Sequence, residues 1–155
     1  MSSIERDTAD AVWMDEALKE AVRAGETNEV PVGAVVVLEE RIIARGHNET
    51  ITACDPTSHA EMVALRQAAL NLGSHRLIGV ALYVTLEPCA MCVGAMIQAR
   101  IERLVFGCRD PKAGAVVSLY GLASDERLNH RISFHEGVRE AECRALLQSF
   151  FRARR

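Results

Sequence analysis

The stretch ALYVTLEPCAMCVGAMIQA, residues 81–99, decides the fold of this chain. Its first part, Ala81–Thr85, is a short apolar run that predicts a buried strand. Pro88 suits the first turn of a helix, where its missing N–H costs nothing, and we expect that helix to run to about Ala99. A buried strand that leads directly into a helix is typical of α/β proteins.

The flanking sequence extends this alternation in both directions. Helices are expected over Thr8–Arg23 with Gly25 as a stop, over Ser58–Leu72 with Gly73 as a stop, and over Val138–Phe151. Strands are expected over Val32–Leu38, Arg41–Gly46, Leu104–Gly107 and Arg131–His135. The order α-β-β-α-β-α-β-β-α predicts a three-layer α-β-α sandwich, an α/β fold with a central mixed five-stranded sheet and helices on both faces.

Length and composition predict a single domain over residues 1–155, with a core at about 8–151 and a basic C-terminal end at 152–155. The 155 residues are 49% apolar and 25% charged, which excludes wholesale disorder, a collagen-like repeat and a disulfide scaffold. No apolar run approaches the roughly 20 residues of a membrane helix. The first thirty residues contain acids throughout and no basic-then-apolar leader. We therefore expect a cytoplasmic protein that does not bind a membrane.

Charge and cysteine content narrow the possible functions. The five cysteines are an odd number in a chain without an evident export signal, which favours metal binding or catalysis over disulfides. Arginines at 152, 154 and 155 make the C-terminal end basic. They fit an anionic partner, but also a helix end at which cations complement the dipole. Composition leaves both interpretations open.

Two short motifs point to a metal site. Cys89 and Cys92 are spaced to share one face of the first turn of a helix, and the positive end of that helix favours their thiolate forms. With the imidazole of His59 they make a ligand set that suits Zn²⁺ and leaves one coordination position for water. The alternative is a closed structural site, for which Cys54, Cys108 or His47 would supply the fourth ligand.

Glu61 has two competing interpretations. Ser58-His59-Ala60-Glu61 fits a capping box, in which the glutamate only marks the start of a helix. A catalytic role beside His59 meets the objection that residues two apart do not share a helix face. A long side chain in the opening turn can overcome that objection by reaching over the helix end.

The whole chain from Trp13 onward resembles one enzyme family. His59-x-Glu61 and Pro88-Cys89-x-x-Cys92 match the signature of the zinc-dependent cytidine and deoxycytidylate deaminase superfamily. Five further segments resemble its bacterial tRNA-specific adenosine deaminases: Val30–Val35, Gly46–Asn48, Leu82–Glu87, Val105–Asp110 and Phe150–Arg155. His47 and Cys108 depart from the pattern.

This resemblance implies a cytidine deaminase-like fold and a hydrolytic enzyme that converts adenosine to inosine at the wobble position of a tRNA anticodon, with release of ammonia. It implies one Zn²⁺ per subunit held by His59, Cys89 and Cys92, with Glu61 as the catalytic proton shuttle. It also implies a homodimer that binds a tRNA anticodon stem-loop. The implied substrate-binding residues are Asn48, Ala60, Glu87, Asp110, Phe150, Phe151, Arg152 and Arg154, with Arg155 beside them.

Alternatives from two other classes remain at this point. A deaminase of a free base or nucleoside, of the guanine or cytosine type, would keep the zinc motif but would not need the basic aromatic tail. A non-enzymatic, zinc-stabilised RNA-binding module would have four protein ligands on its metal and would use Glu61 only as a cap. Glu87 also has an alternative role as a helix-start carboxylate, and Asn48 as a loop residue bonded to its own backbone.

Overall fold

The computed structural model describes all 155 residues and contains four α-helices around a five-stranded sheet. The helices are α1 (Ser3–Glu26), α2 (Ala60–Leu72), α3 (Ala90–Ala99) and α4 (Glu140–Arg152). The strands are β1 (Gly33–Leu38), β2 (Arg41–His47), β3 (Ala81–Leu86), β4 (Arg103–Cys108) and β5 (Ser133–Glu136). The predicted element order is confirmed, with a 3₁₀ turn at Leu122–Ser124 added between β4 and β5.

The sheet is mixed, as the sequence predicts. Its strand order is β2-β1-β3-β4-β5. The β1 strand runs antiparallel to both β2 and β3, and β3, β4 and β5 run parallel to one another. Parallel neighbours need a crossover connection, which α3 supplies between β3 and β4. The C-terminal ends of β3 and β4 therefore lie at the same edge of the sheet.

Both faces of the sheet are covered, which confirms the three-layer sandwich. Along β1, Ala34 and Val36 pack into one apolar cluster with residues of α2 and α3. The alternate residues Val35 and Val37 pack into a second cluster with Met14 of α1 and Cys143 of α4. This alternation follows from the two-residue period of a strand. It places α2 and α3 side by side on one face.

The ends of α1 differ from the prediction. The helix begins at Ser3 rather than Thr8, because Ser2 and Glu5 form a reciprocal capping box. Gly25 does not stop it, since the chain stays helical to Glu26 and Thr27 is the C-cap. At the end of α2, by contrast, the predicted stop is confirmed, because Gly73 adopts a left-handed conformation with φ of 64°.

A buried ion pair fixes α1 to the sheet. The guanidinium of Arg103 on β4 donates two hydrogen bonds of 2.7 Å to the carboxylate of Asp10, which is 1% exposed. The Tyr83 hydroxyl on β3 donates a third, also of 2.7 Å.

No helix in the structure combines the length and apolar character that crossing a membrane requires.

Candidate active site

His59, Cys89 and Cys92 converge at one point between α2 and α3. The Nδ1 atom of His59 lies 3.6 Å from Sγ of Cys89 and 3.5 Å from Sγ of Cys92. Tetrahedral zinc, with Zn–S bonds near 2.3 Å and Zn–N bonds near 2.0 Å, places sulfur and nitrogen about 3.5 Å apart. Both the spacing and the chemistry of the donors therefore fit Zn²⁺.

Helix starts position all three side chains. His59 is the N-cap of α2 and Cys89 is the N-cap of α3, each with extended backbone dihedrals. Cys92 lies in the first turn of α3, on the face that Cys89 shares. Because α2 and α3 cover the same face of the sheet, their two N-termini meet. The positive ends of both helices then stabilise thiolate at this point.

The cluster contains three potential metal ligands and no fourth. None of the three residues considered as a fourth ligand belongs to this cluster. His47 contacts Glu20 through Nδ1 at 3.2 Å, Cys108 Sγ lies 3.7 Å from the carbonyl of Thr85, and Cys54 is exposed. A closed structural site is therefore wrong for this chain. The ligand set leaves a coordination position for a small molecule.

Hydrogen bonding and burial shift the pKa values of Cys89 and Cys92 in opposite directions. The hydrogen bond from Cys92 and that with His59 lower the pKa of the Cys89 thiol to about 4, against the effect of burial. The hydrogen bond to Cys89 and burial raise the pKa of Cys92 above its ordinary value. The hydrogen bond with Cys89 also raises the pKa of His59.

Glu61 lies beside the cluster and does not form a capping box. Its side chain is 4% exposed and within hydrogen-bonding reach of Cys92, and burial raises the pKa of its carboxyl to about 7. Ser58, its expected partner in a capping box, instead donates to Asp55 at 2.9 Å. The cap interpretation is therefore wrong. The objection about helix faces does not apply, because His59 precedes the helix.

Asn48 reaches the start of α2 from the end of β2. Its Oδ1 accepts a hydrogen bond of 2.8 Å from the backbone N–H of Ala60. The alternative of a loop asparagine bonded to its own backbone is therefore wrong, because the side chain caps a helix that begins twelve positions further along the chain. Ala60 is fully buried and its N–H is committed to this bond. Its methyl group belongs to the core cluster.

Sequence comparison places these features in a known family. Residues 7–108 match the profile of the cytidine and deoxycytidylate deaminase zinc-binding region. A Bacillus subtilis protein named tRNA-specific adenosine deaminase is 48% identical over 145 residues, which are 94% of this chain and 90% of that protein. The chain belongs to the tRNA-specific adenosine deaminase family. A counterpart from Agrobacterium fabrum is 48% identical over 143 residues, 92% of this chain and 94% of its own length.

Solved structures place the chain in the same family. One, from studies of A-to-I editing by tRNA:A34 deaminases, has a TM-score of 0.85 and 47% identity, covering 87% of this chain and 98% of that chain. A guanine deaminase from Bacillus subtilis has a TM-score of 0.61 and 36% identity, covering 63% of each chain. The similarity to the tRNA:A34 deaminase thus extends over more of the fold.

In this deaminase the carboxylate of Glu87 does not start a helix. It is buried after β3 and accepts hydrogen bonds from the loop that follows β4, which contains Asp110. Asp110 in turn uses its own Oδ1 to accept from the N–H groups of Lys112 and Ala113. Both acidic side chains therefore organise that loop.

The aromatic tail lies at the end of α4. Phe150 and Phe151 contact edge to face, with ring centroids 5.4 Å apart. The Arg154 guanidinium stacks 3.4 Å above the Phe150 ring and donates to Asn28. Phe151 is 49% exposed and borders a cleft of about 420 Å³ that Arg152 and Arg155 also line. Neither phenylalanine belongs to the two apolar core clusters.

Sequence reasoning missed Glu29. This carboxylate is 1% exposed and accepts hydrogen bonds from Thr50, Ile51 and Thr52 in the loop between β2 and α2. Burial works to raise its pKa, but these hydrogen bonds outweigh it and hold the pKa below the ordinary value. Nothing in the local sequence distinguishes Glu29 from a surface acid.

Proposed function

We infer that this protein hydrolyses adenosine to inosine at the wobble position of a tRNA anticodon and releases ammonia. The single observation that carries this inference is the group of three ligands, His59, Cys89 and Cys92, with the buried Glu61 beside it. That arrangement suits hydrolytic deamination. Similarity to the tRNA-specific adenosine deaminases over nine-tenths of the chain indicates the substrate.

His59, Cys89 and Cys92 would hold the metal in this reaction. Bound Zn²⁺ supplies a Lewis acid that makes water a nucleophile near neutral pH. Glu61 takes one proton from the water as it adds to C6 of adenine and passes that proton to the ring nitrogen N1, and it then moves the remaining proton of the added oxygen to the leaving amine. The C6–N6 bond breaks, ammonia leaves and the C6 carbonyl of inosine remains. Burial of Glu61 keeps bulk water from competing for its proton.

Asn48 and the C-terminal residues would handle the nucleotide and its neighbours. Because Oδ1 of Asn48 is bonded to Ala60, its Nδ2 is the atom available to donate to the target nucleotide. Phe151 offers an exposed ring for base stacking. Phe150, Asp110 and the arginines at 152, 154 and 155 would contact the anticodon loop around it. Anticodon bases are unpaired, so their extrusion costs little.

We also propose that residues 1–155 form one deaminase domain, which acts as a cytoplasmic homodimer. The single sheet with both faces covered supports the one-domain interpretation. Exposed apolar side chains at Leu70, Leu119 and Tyr120 offer surface for a second copy. Sedimentation analysis at micromolar concentration tests the dimer.

A free-base deaminase is the second candidate, favoured by the similarity to the Bacillus subtilis guanine deaminase. Incubation of the purified protein with an anticodon stem-loop, free adenosine, cytosine and guanine separates the two. We expect inosine in the stem-loop and no turnover of the free bases, and turnover of the free bases alone would refute the RNA function. Mass analysis of tRNA nucleosides after depletion of the protein should show that inosine disappears.

A further inference from the structure

The carboxylate of Glu87 is the anchor of the loop between β4 and the 3₁₀ turn. Glu87 is 2% exposed, and its two oxygens accept from the backbone N–H groups of Asp110, Val116, Val117 and Ser118 at 2.9–3.1 Å. The Ser118 hydroxyl donates a further hydrogen bond. One buried side chain thus satisfies donors spread over nine residues, 110–118, that form no regular secondary structure.

The same loop is also bonded to the metal-ligand segment. The backbone N–H of Ala115 donates 2.8 Å to the carbonyl of Pro88, and Gly114 forms a β-bridge with Cys89. Gly114 fits only because it lacks a side chain, since a Cβ there would lie 2.3 Å from the carboxyl carbon of Glu87. Residues 87–89 and 110–118 therefore form one interlocked unit.

We propose that Glu87 is a positioning residue that fixes loop 110–118 to the zinc-ligand segment, and so holds the RNA-facing surface in register with the reacting base. This inference rests on the proposed function for its kinetic consequence. The side chain itself does not touch the substrate, because all its bonds go to the loop. Its effect reaches RNA through the exposed part of the loop, Pro111–Ala113.

Only a carboxylate satisfies this arrangement. Every partner of Glu87 is an N–H or O–H donor, so the side chain must accept at both oxygens. A glutamine has one acceptor oxygen, and its NH₂ group would face backbone N–H groups. A buried donor without an acceptor is costly. Glu87→Gln should therefore release part of the loop while it preserves the size of the side chain.

The test combines amide hydrogen exchange with steady-state kinetics on the zinc-loaded protein. In Glu87→Gln we expect exchange of the Val116, Val117 and Ser118 amides to accelerate by at least about tenfold. KM for the anticodon stem-loop should rise about fivefold or more while kcat changes less, and each chain should still bind one zinc. Glu29→Gln is the matched control. It replaces an equally buried carboxylate that binds a different loop, residues 50–52, and it should leave amide exchange at 116–118 unchanged.

Ser118→Ala keeps the experiment decisive if Glu87→Gln does not fold, since it removes one hydroxyl donor and leaves the carboxylate. It should accelerate exchange at 116–118 in the same direction to a smaller extent. Unchanged exchange in both variants, or faster exchange with unchanged KM, would overturn the inference. A wild-type protein that leaves the stem-loop unmodified would instead refute the proposed function, because the exchange measurement needs no substrate.

Discussion

Asn48 caps the helix that begins beside His59: its Oδ1 lies 2.8 Å from the N–H of Ala60, twelve positions along the chain. No residue next to α2 supplies this bond, and the N-cap residue His59 makes no side-chain cap of its own. The imidazole of His59 is therefore left to face the two cysteines. One asparagine ties the end of β2 to the helix that carries two of the site residues.

Substitution of Asn48 should separate its capping role from its role toward the nucleotide. Asn48→Asp keeps an acceptor at the positive end of α2 and should leave the free energy of unfolding nearly unchanged, whereas Asn48→Ala should lower it by about 1 kcal/mol. Both lose the Nδ2 donor, so kcat/KM on the stem-loop should fall at least about tenfold in both. Full activity in Asn48→Asp would mean that the cap alone matters.

Glu61→Gln should abolish turnover without loss of metal. Glutamine matches the shape of the buried side chain but does not carry a proton between the water and the purine, so kcat should fall by about 10²–10⁴. Zinc content, measured by atomic absorption, should stay at one per chain. A variant that retains wild-type kcat would contradict the proton-carrying role.

Substitution of two equally buried cysteines, Cys92 and Cys108, should change the zinc content of the protein to very different extents. Cys92→Ala removes a ligand and should strip zinc and lower the melting temperature, since metal binding and folding are coupled. Cys89→Ala should do the same. Cys108→Ala is the control, because Cys108 is equally buried but lies outside the cluster. Equal zinc loss in Cys92→Ala and Cys108→Ala would refute the assigned ligand set.

The buried pair Asp10–Arg103 should make the stability depend on acid pH. Burial works to raise the pKa of Asp10, but hydrogen bonds from Arg103 and Tyr83 outweigh it and hold the pKa below the ordinary value of 3.8. Ionised Asp10 therefore stabilises the fold above that value, and this contribution is lost as the pH falls through the lower, folded-state pKa.

Urea unfolding between pH 7 and pH 3 measures this contribution. Asp10→Asn should be less stable than wild type by about 3 kcal/mol at pH 7, and the difference should shrink below about pH 4. Asp15→Asn is the control, since Asp15 pairs with Arg139 on the surface and should cost under about 1 kcal/mol. A difference that stays constant with pH would show that Asp10 stabilises the fold by packing alone.

Phe151→Ala should weaken RNA binding and leave zinc in place. The half-exposed ring is suited to stacking on a base, which contributes about 1–3 kcal/mol and thus roughly a 5- to 150-fold change in Kd. Fluorescence anisotropy with a labelled stem-loop measures the change. Ile4→Ala removes an exposed apolar side chain from α1 and should bind as wild type. Loss of zinc in Phe151→Ala would show that the metal site and the RNA surface are not separate.

The sequence was informative wherever a property is local. The two-residue period of β1 predicts which residues face each layer, and the spacing of Cys89 and Cys92 places both sulfurs on one helical turn. Glycine was informative at Gly73 but not at Gly25, because a glycine permits a left-handed residue without requiring one. The capping-box interpretation of Ser58 and Glu61 was wrong because Ser58 donates to Asp55 and His59 is the N-cap of α2.

The sequence by itself determined the fold class and the pair Cys89–Cys92 as candidate metal ligands, because hydrophobic period and the spacing of this pair act within a few residues. Only the tertiary structure decided that His59 meets sulfurs some thirty positions away, that Asn48 caps α2, and that Glu87 holds loop 110–118. These contacts join segments that approach only after the sheet and its covering helices have packed. A carboxylate's partners depend on that packing, so the sequence did not reveal which groups Glu29 and Glu87 bind.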